Sequence, residues 1–273
     1  MTVDPLKPRR VLVLHGVESG TNRDQDQHVL VRRLLLDRLN GIHVPFDTAL
    51  FPYEDLNDRA LESLTEAAGW LRTALEQRRP LAALAVQAGN ALLDIVGDVL
   101  IAKRDGAVAR EIRRGIRSAI MASYDEGLPL YVLAHSLGSI YTFDVIQELM
   151  ATPGLFVRDQ RRTWPVQGLI TIGSPLGLEL FGGGRPLHQL GPGRKFFRWH
   201  NFWSRTDPVV SGSFYGGPIA GYQVVERFQT AAPTEGWIVQ DHVVDTGFAW
   251  LLAHTSYWSS PEVGDALVHL ITH

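Results

Sequence analysis

The chain has 273 residues, 45% of them hydrophobic and 20% charged, a length and balance that bury about three quarters of the unfolded surface around a large core. Its 26 basic and 29 acidic residues give a net charge of −3, which offers no electrostatic case for general nucleic-acid binding. The absence of cysteine removes disulfides, thiolate zinc sites, iron–sulfur clusters and a cysteine nucleophile, so any chemistry must use oxygen or nitrogen.

The opening residues MTVDPLKPRRVL carry two prolines and several charges ahead of a short apolar run; no secretory signal is visible and a cytoplasmic location is expected. Residues 11–14, VLVL, run into His15-Gly16 and predict a strand buried on both faces of a parallel sheet. Asn22, Asp24 and Asp26 offer caps to a helix in which Val29, Leu30, Leu34 and Leu35 approximate helical spacing. A short strand is expected near Thr48 to Phe51, closed by Pro52. From about Leu56 to Tyr124 charged and apolar residues recur at three and four. A crossover helix needs only about 10–15 residues, so 56–125 is expected to be a helical insertion that covers the mouth of a site, with an extension of the core at a sheet edge or a dimer surface as its alternative. Its most apolar part, Leu81 to Ala102, contains Gln87, Asn90, Asp94 and Asp98 and reads as a buried or lid helix rather than a membrane span.

PLYVLAHS at 129–136 predicts a second buried strand, SIYTFDVIQELM at 139–150 a helix stopped by Pro153 and Gly154, and VQGLITIGSPL at 166–176 a third strand. Residues 181–194 hold five glycines and two prolines and predict an irregular loop. FFRWHNFW at 196–203 and WIVQDHVV at 237–244 complete the strands. Alternating strands and helices imply a mostly parallel α/β sheet flanked by helices. Without repeats or a linker, residues 1–273 are expected to form a single domain, with 56–125 as an insertion or cap.

Ala134, His135, Ser136, Leu137 and Gly138 fall between the strand PLYVL and the following helix. A nucleophile on a sharp strand-to-helix turn needs small residues two before and two after it, because those positions crowd together while the serine adopts a strained backbone. Ala134 and Gly138 meet that need. The helix from Leu137 then aims free amides and its positive dipole end at charge forming on a substrate.

These five residues, with the upstream strand ending in His15-Gly16, resemble the α/β-hydrolase family, whose elbow is usually GxSxG and in some lipases AxSxG; Ala134 is the departure. GSPL at 173–176 and WHNFWSRTDPV are similar to parts of bacterial lipase-like members. The likeness covers roughly 9–52 and 127–258 and leaves 56–125 unexplained. It implies an α/β-hydrolase-type sheet and the chain order serine, acid, histidine. The acid is then Asp207, directly after FFRWHNFW and before Pro208, whose plainer role would be a turn aspartate. Four histidines follow it: His242, His254, His269 and His273. His269 falls in a helical pattern and His273 ends the sequence, which leaves His254, in an HxxYW-like segment after the last strand, as first choice and His242 as second. The resemblance further implies an oxyanion hole from the backbone N–H groups of Leu137 and Val17, with His15 structural.

Other signals carry less. Asp24, Asp26 and His28 lack the glycine and distal glutamate of a calcium loop, so no metal is expected. The glycines at 182–184, 191 and 193 are not followed by GK[ST], which excludes a phosphate loop. Arg110, Arg113, Arg114 and Arg117 recur on one helical face opposite Ile112, Ile116 and Ile120, a solvated face with anionic lipid or phosphate recognition as its alternative. Trp199, Trp203, Trp250 and Trp258 are candidates for core or for the lining of an acyl pocket. The expectation is a cofactor-independent serine hydrolase that acts on carboxylic esters, lipid-like esters included, with peripheral membrane contact as an open alternative. An amidase or peptidase with the same residues, or a binding module that retains the fold without turnover, are its rivals.

Overall fold

The computed structural model describes residues 2–15, 27–51, 106–155, 161–177, 198–211, 238–247 and 251–273. Six strands, β1 (Arg9–Leu14), β2 (Phe46–Leu50), β3 (Leu130–His135), β4 (Val166–Ile172), β5 (Arg198–Trp203) and β6 (Ile238–Val243), form one sheet in the order β2-β1-β3-β4-β5-β6. Every neighbouring pair is parallel. Because side chains alternate across a strand, Leu12, Leu14, Leu130, Val132 and Ala134 enter the core on one face, while Val11, Val13, Tyr131 and Leu133 enter the core on the other. Burial on both faces is why the central strands read as unbroken apolar runs.

The helices are α1 (Gln27–Leu39), α2 (Ala107–Asp125), α3 (Leu137–Ala151), α4 (Pro208–Ser211), α5 (Leu251–Thr255) and α6 (Pro261–Thr272). α2 and α3 pack together on the first face, α1 and α6 on the second. The division follows from crossover handedness. The connection through α1 steps from β1 to β2 in one direction along the sheet, and the connection through α3 steps from β3 to β4 in the other. Right-handed crossovers of opposite direction lie on opposite faces. α1 and α6 approach closely at Gly264, where a β-carbon would stand 2.9 Å from Cγ of Leu34.

Several expectations shift. β2 starts at Phe46, two residues before Thr48, with Arg9 opposite Phe46 in register. In the expected 56–125 insertion, residues 56–105 lie outside the described residues, the apolar part Leu81 to Ala102 among them. The described end is α2, whose Ile112, Ile116 and Ile120 are buried in the sheet's core. It is the crossover helix into β3. The arginine face is not wholly solvated: Arg110 and Arg114 are exposed, but Arg113 is largely buried and pairs with Asp144 at 3.8 Å, because α3 packs alongside. Trp199, Trp203 and Trp258 are buried; Trp250 lies outside the described residues, with Asp24, Asp26 and the glycine-rich 181–194. Among the described residues no helix is long and apolar enough to cross a membrane.

The second half of the sheet carries a buried polar ladder. Trp199 Nε1–H donates to Thr171 Oγ1 at 2.8 Å, Thr171 donates to Asn201 Oδ1 at 2.7 Å, and Asn201 Nδ2–H donates to Asp241 Oδ1 at 2.8 Å. Each group satisfies the next, so β4, β5 and β6 are tied by side chains as well as by backbone.

Candidate active site

Strand order reverses between β1 and β3, and in open parallel sheets ligands bind beyond the carboxyl ends of strands at such a switch point. Ser136 follows the last residue of β3 at that position. Its backbone has φ 51° and ψ −127°, a conformation that costs a residue with a β-carbon about 1–3 kcal/mol. The surroundings hold it there. Ser136 N–H donates to Ile172 O at 3.0 Å, and the hydroxyl of Ser139 donates to Ser136 O while sharing a 2.6 Å hydrogen bond with Ser174 Oγ. Ala134 and Gly138 are both buried, in keeping with the crowding that the turn imposes.

Leu137 begins α3, so its N–H lies ahead of the first intrahelical hydrogen bond and has no acceptor within the helix. It stands beside the serine as a donor for an anion. Val17 lies outside the described residues, whereas His15 follows β1 and is buried.

His254 sits on α5 rather than on an open loop, and its ring lies between two oxygens. Nε2 is 2.8 Å from Ser136 Oγ and Nδ1 is 2.9 Å from Asp207 Oδ2. The carboxylate accepts only, so Nδ1 carries the proton, and Nε2 is left as an acceptor for the serine hydroxyl. Asp207 is wholly buried and His254 is 3% exposed. The carboxylate also performs the turn role weighed against catalysis: Oδ1 takes the N–H of Val209 at 2.9 Å in the first turn of α4. Two oxygens serve two purposes.

Sequence reasoning assigned no role to four further groups. Tyr257 donates its hydroxyl to Asp207 Oδ2 at 2.8 Å and accepts the N–H of Ser204 at 2.8 Å. Burial, and then the adjacent carboxylate, push its phenol well above the ordinary tyrosine range, so it stays a donor. His135 is 2.8 Å from the carbonyl oxygen of His254 through Nε2, with the two rings 4.6 Å apart. Burial first, and His254 second, hold it well below the ordinary histidine range. It is therefore neutral, with its proton on Nε2 and donated to that carbonyl. Gly173 has φ 56° and lies against both His254 and Tyr257. Ser174 completes the support under the elbow through Ser139. The signals for these residues were GSPL and the tyrosine one helical turn after His254, both visible in the sequence without a function attached.

His242, the second choice for the base, is not brought to Ser136. It lies on the edge strand β6, three strands from β3 and so about 14 Å across the sheet. Its Nε2 is 3.0 Å from His200 Nδ1, and its ring stacks on Phe202 at 4.5 Å. Burial, followed by His242, pushes His200 down to about 4. His269 lies on α6 beside Arg198. Among the described residues no group of three or more histidine, aspartate or glutamate side chains is placed to hold a metal ion.

No protein-family model matches the chain, and no curated protein matches it. Among solved structures it is similar to TT1662 from Thermus thermophilus, at 15% sequence identity over 98% of this chain and 92% of that one, with a TM-score of 0.44. It is also similar to an uncharacterized protein from Pseudomonas aeruginosa, at 12% identity over 94% of this chain and 46% of that one, with a TM-score of 0.34.

Proposed function

We propose that the protein is a serine hydrolase of the α/β-hydrolase type that cleaves carboxylic esters through an acyl-enzyme on Ser136. The observation that carries the reading is the single imidazole of His254 within hydrogen-bond reach of both Ser136 Oγ and Asp207 Oδ2. A serine hydroxyl is a weak nucleophile until an adjacent base takes its proton, and that base needs a carboxylate to hold its tautomer and neutralise its charged form. The strained backbone of Ser136 at a strand-to-helix turn supports the same reading.

In this mechanism Ser136 Oγ attacks the ester carbonyl carbon while its proton passes to His254 Nε2. Asp207 stabilises the resulting imidazolium. The carbonyl electron pair moves onto oxygen, and the oxyanion takes the N–H of Leu137 at the positive end of α3, with Val17 N–H as the second donor. Collapse breaks the bond to the leaving oxygen, which takes the proton from Nε2 and departs as an alcohol. Water then gives a proton to His254 as it attacks the acyl carbon. The second collapse returns that proton to Ser136 and releases the carboxylic acid. No step calls for a cofactor.

A fluorophosphonate probe tests the reading, with Ser136→Ala as control, alongside acyl esters of rising chain length and matched amides. Labelling confined to the protein with Ser136 intact, and faster turnover of esters than amides, is the expected result. A wild-type protein that takes no label leaves a binding module in its place; faster amide cleavage makes it an amidase.

A further inference from the structure

Asp207 is fully buried, and a carboxylate in that setting stays ionised only where charge or hydrogen bonds replace water. Among the described residues its hydrogen-bond partners are His254 Nδ1–H and the Tyr257 hydroxyl on Oδ2, and Val209 N–H on Oδ1, none of them a lysine or arginine. One oxygen thus accepts from both the base and the phenol, and the phenol is itself polarised by the Ser204 N–H that it accepts. Tyr257 follows His254 by three residues, so the base and the group that grips the acid share one turn of chain.

We propose that Tyr257 is a positioning residue that sets the strength of the Asp207–His254 hydrogen bond by competing for the same carboxylate oxygen. The inference rests on the serine-hydrolase reading for its consequence in turnover, although the competition itself is a property of the pair. Two donors on Oδ2 divide its electron density, so each holds the oxygen less tightly than it would alone. With the phenol present, the acid aligns the imidazole through a weaker hydrogen bond, and Nε2 faces the serine hydroxyl. Tyr257 is fully buried, and its hydroxyl bonds Asp207 and the Ser204 backbone. It acts through Asp207.

The test uses Tyr257→Phe, which keeps the ring in its packing and removes the hydroxyl alone. A variant carrying 3-fluorotyrosine at position 257 is a stronger donor of the same shape. The first readout is the proton resonance of His254 Nδ1–H, which needs no turnover. It is expected to move downfield in Tyr257→Phe and upfield with the fluorinated ring. The second is the rate of fluorophosphonate labelling against pH: labelling near neutral pH is expected to slow about tenfold in Tyr257→Phe, with the acidic limb displaced to higher pH. A limb and resonance that both stay in place, whatever happens to the rate, would overturn the proposal and make Tyr257 a packing residue. Shifts of the same sign in the two variants would overturn it as well. If the resonance moves as expected while wild-type protein takes no label, the competition stands and the enzyme reading falls.

Discussion

Gly173 lies so close to His254 that a β-carbon on it would stand 3.1 Å from both Cε1 and Nδ1 of the imidazole. The same carbon would be 2.9 Å from Tyr257 Cε2, so the residue after β4 is where the rings of base and tyrosine both press on backbone. Its φ of 56° independently disfavours any side chain.

Gly173→Ala is therefore expected to displace the imidazole from the line between Ser136 and Asp207. A displacement near 1 Å costs about a hundredfold in rate, and the strained backbone adds about 1–3 kcal/mol of destabilisation. Labelling rate and a urea melt on the same sample separate the two effects. An alanine variant that labels at the wild-type rate would show that the glycine serves packing alone.

Ser136→Ala should abolish labelling, and His254→Ala should slow it by about a thousandfold or more. Asp207→Asn should be comparably severe, since an amide leaves the imidazole in the wrong tautomer. His242→Ala should change the rate less than about twofold, because its contacts are with His200 and Phe202. A dead His242 variant beside an active His254 variant would reverse the assignment of the base.

Stability should fall as the solution is acidified from about pH 6.5 towards pH 4. His135 is held below its ordinary value by burial and His200 is pushed down to about 4, so in this window the unfolded chain binds protons that the folded chain refuses. His242 and His269 are lowered as well, each chiefly by burial, and add to the same trend. Above pH 6.5 the term vanishes, since these groups are neutral in both states. Urea midpoints measured at half-unit steps should decline through the window, less steeply in His200→Gln. A flat profile down to pH 4.5 would contradict the neutral state inferred for these histidines.

Thr171→Val should destabilise the fold by about 1–3 kcal/mol without touching the site's proton path. The valine fills the space but removes the two buried hydrogen bonds that Thr171 makes, from Trp199 Nε1–H and to Asn201 Oδ1, a loss that costs about that much. Chemical denaturation reads the loss; an unchanged midpoint would mean that the ladder is relieved elsewhere.

Local physics was legible in the sequence wherever a short run of residues must satisfy one environment. VLVL and LYVLA have apolar side chains on both sides of a strand, and only a sheet covered on both faces accepts them. Ser136 between Ala134 and Gly138 announces a crowded turn, and its backbone is strained as such a turn requires. Where composition is ambiguous the reading slipped. The start of β2 was set by its register against Arg9 rather than by its own pattern, and Arg113 left the solvated face because Asp144 of a neighbouring helix was within reach.

Contacts between distant residues were decided by tertiary structure alone. Asp207 and His254 are 47 residues apart and His254 and Ser136 are 118 apart; the sequence put His254 ahead of His242 through a resemblance and not through any contact it could show. The parallel order β3-β4-β5-β6 separates them: it carries His242 to the far edge of the sheet, while the chain returning from β6 sets α5 over the end of β3. The same return brings Tyr257 to Asp207, His135 to the carbonyl of His254 and both rings against Gly173. No local propensity encodes those meetings, because each depends on which strand ends lie side by side once both faces of the sheet are buried.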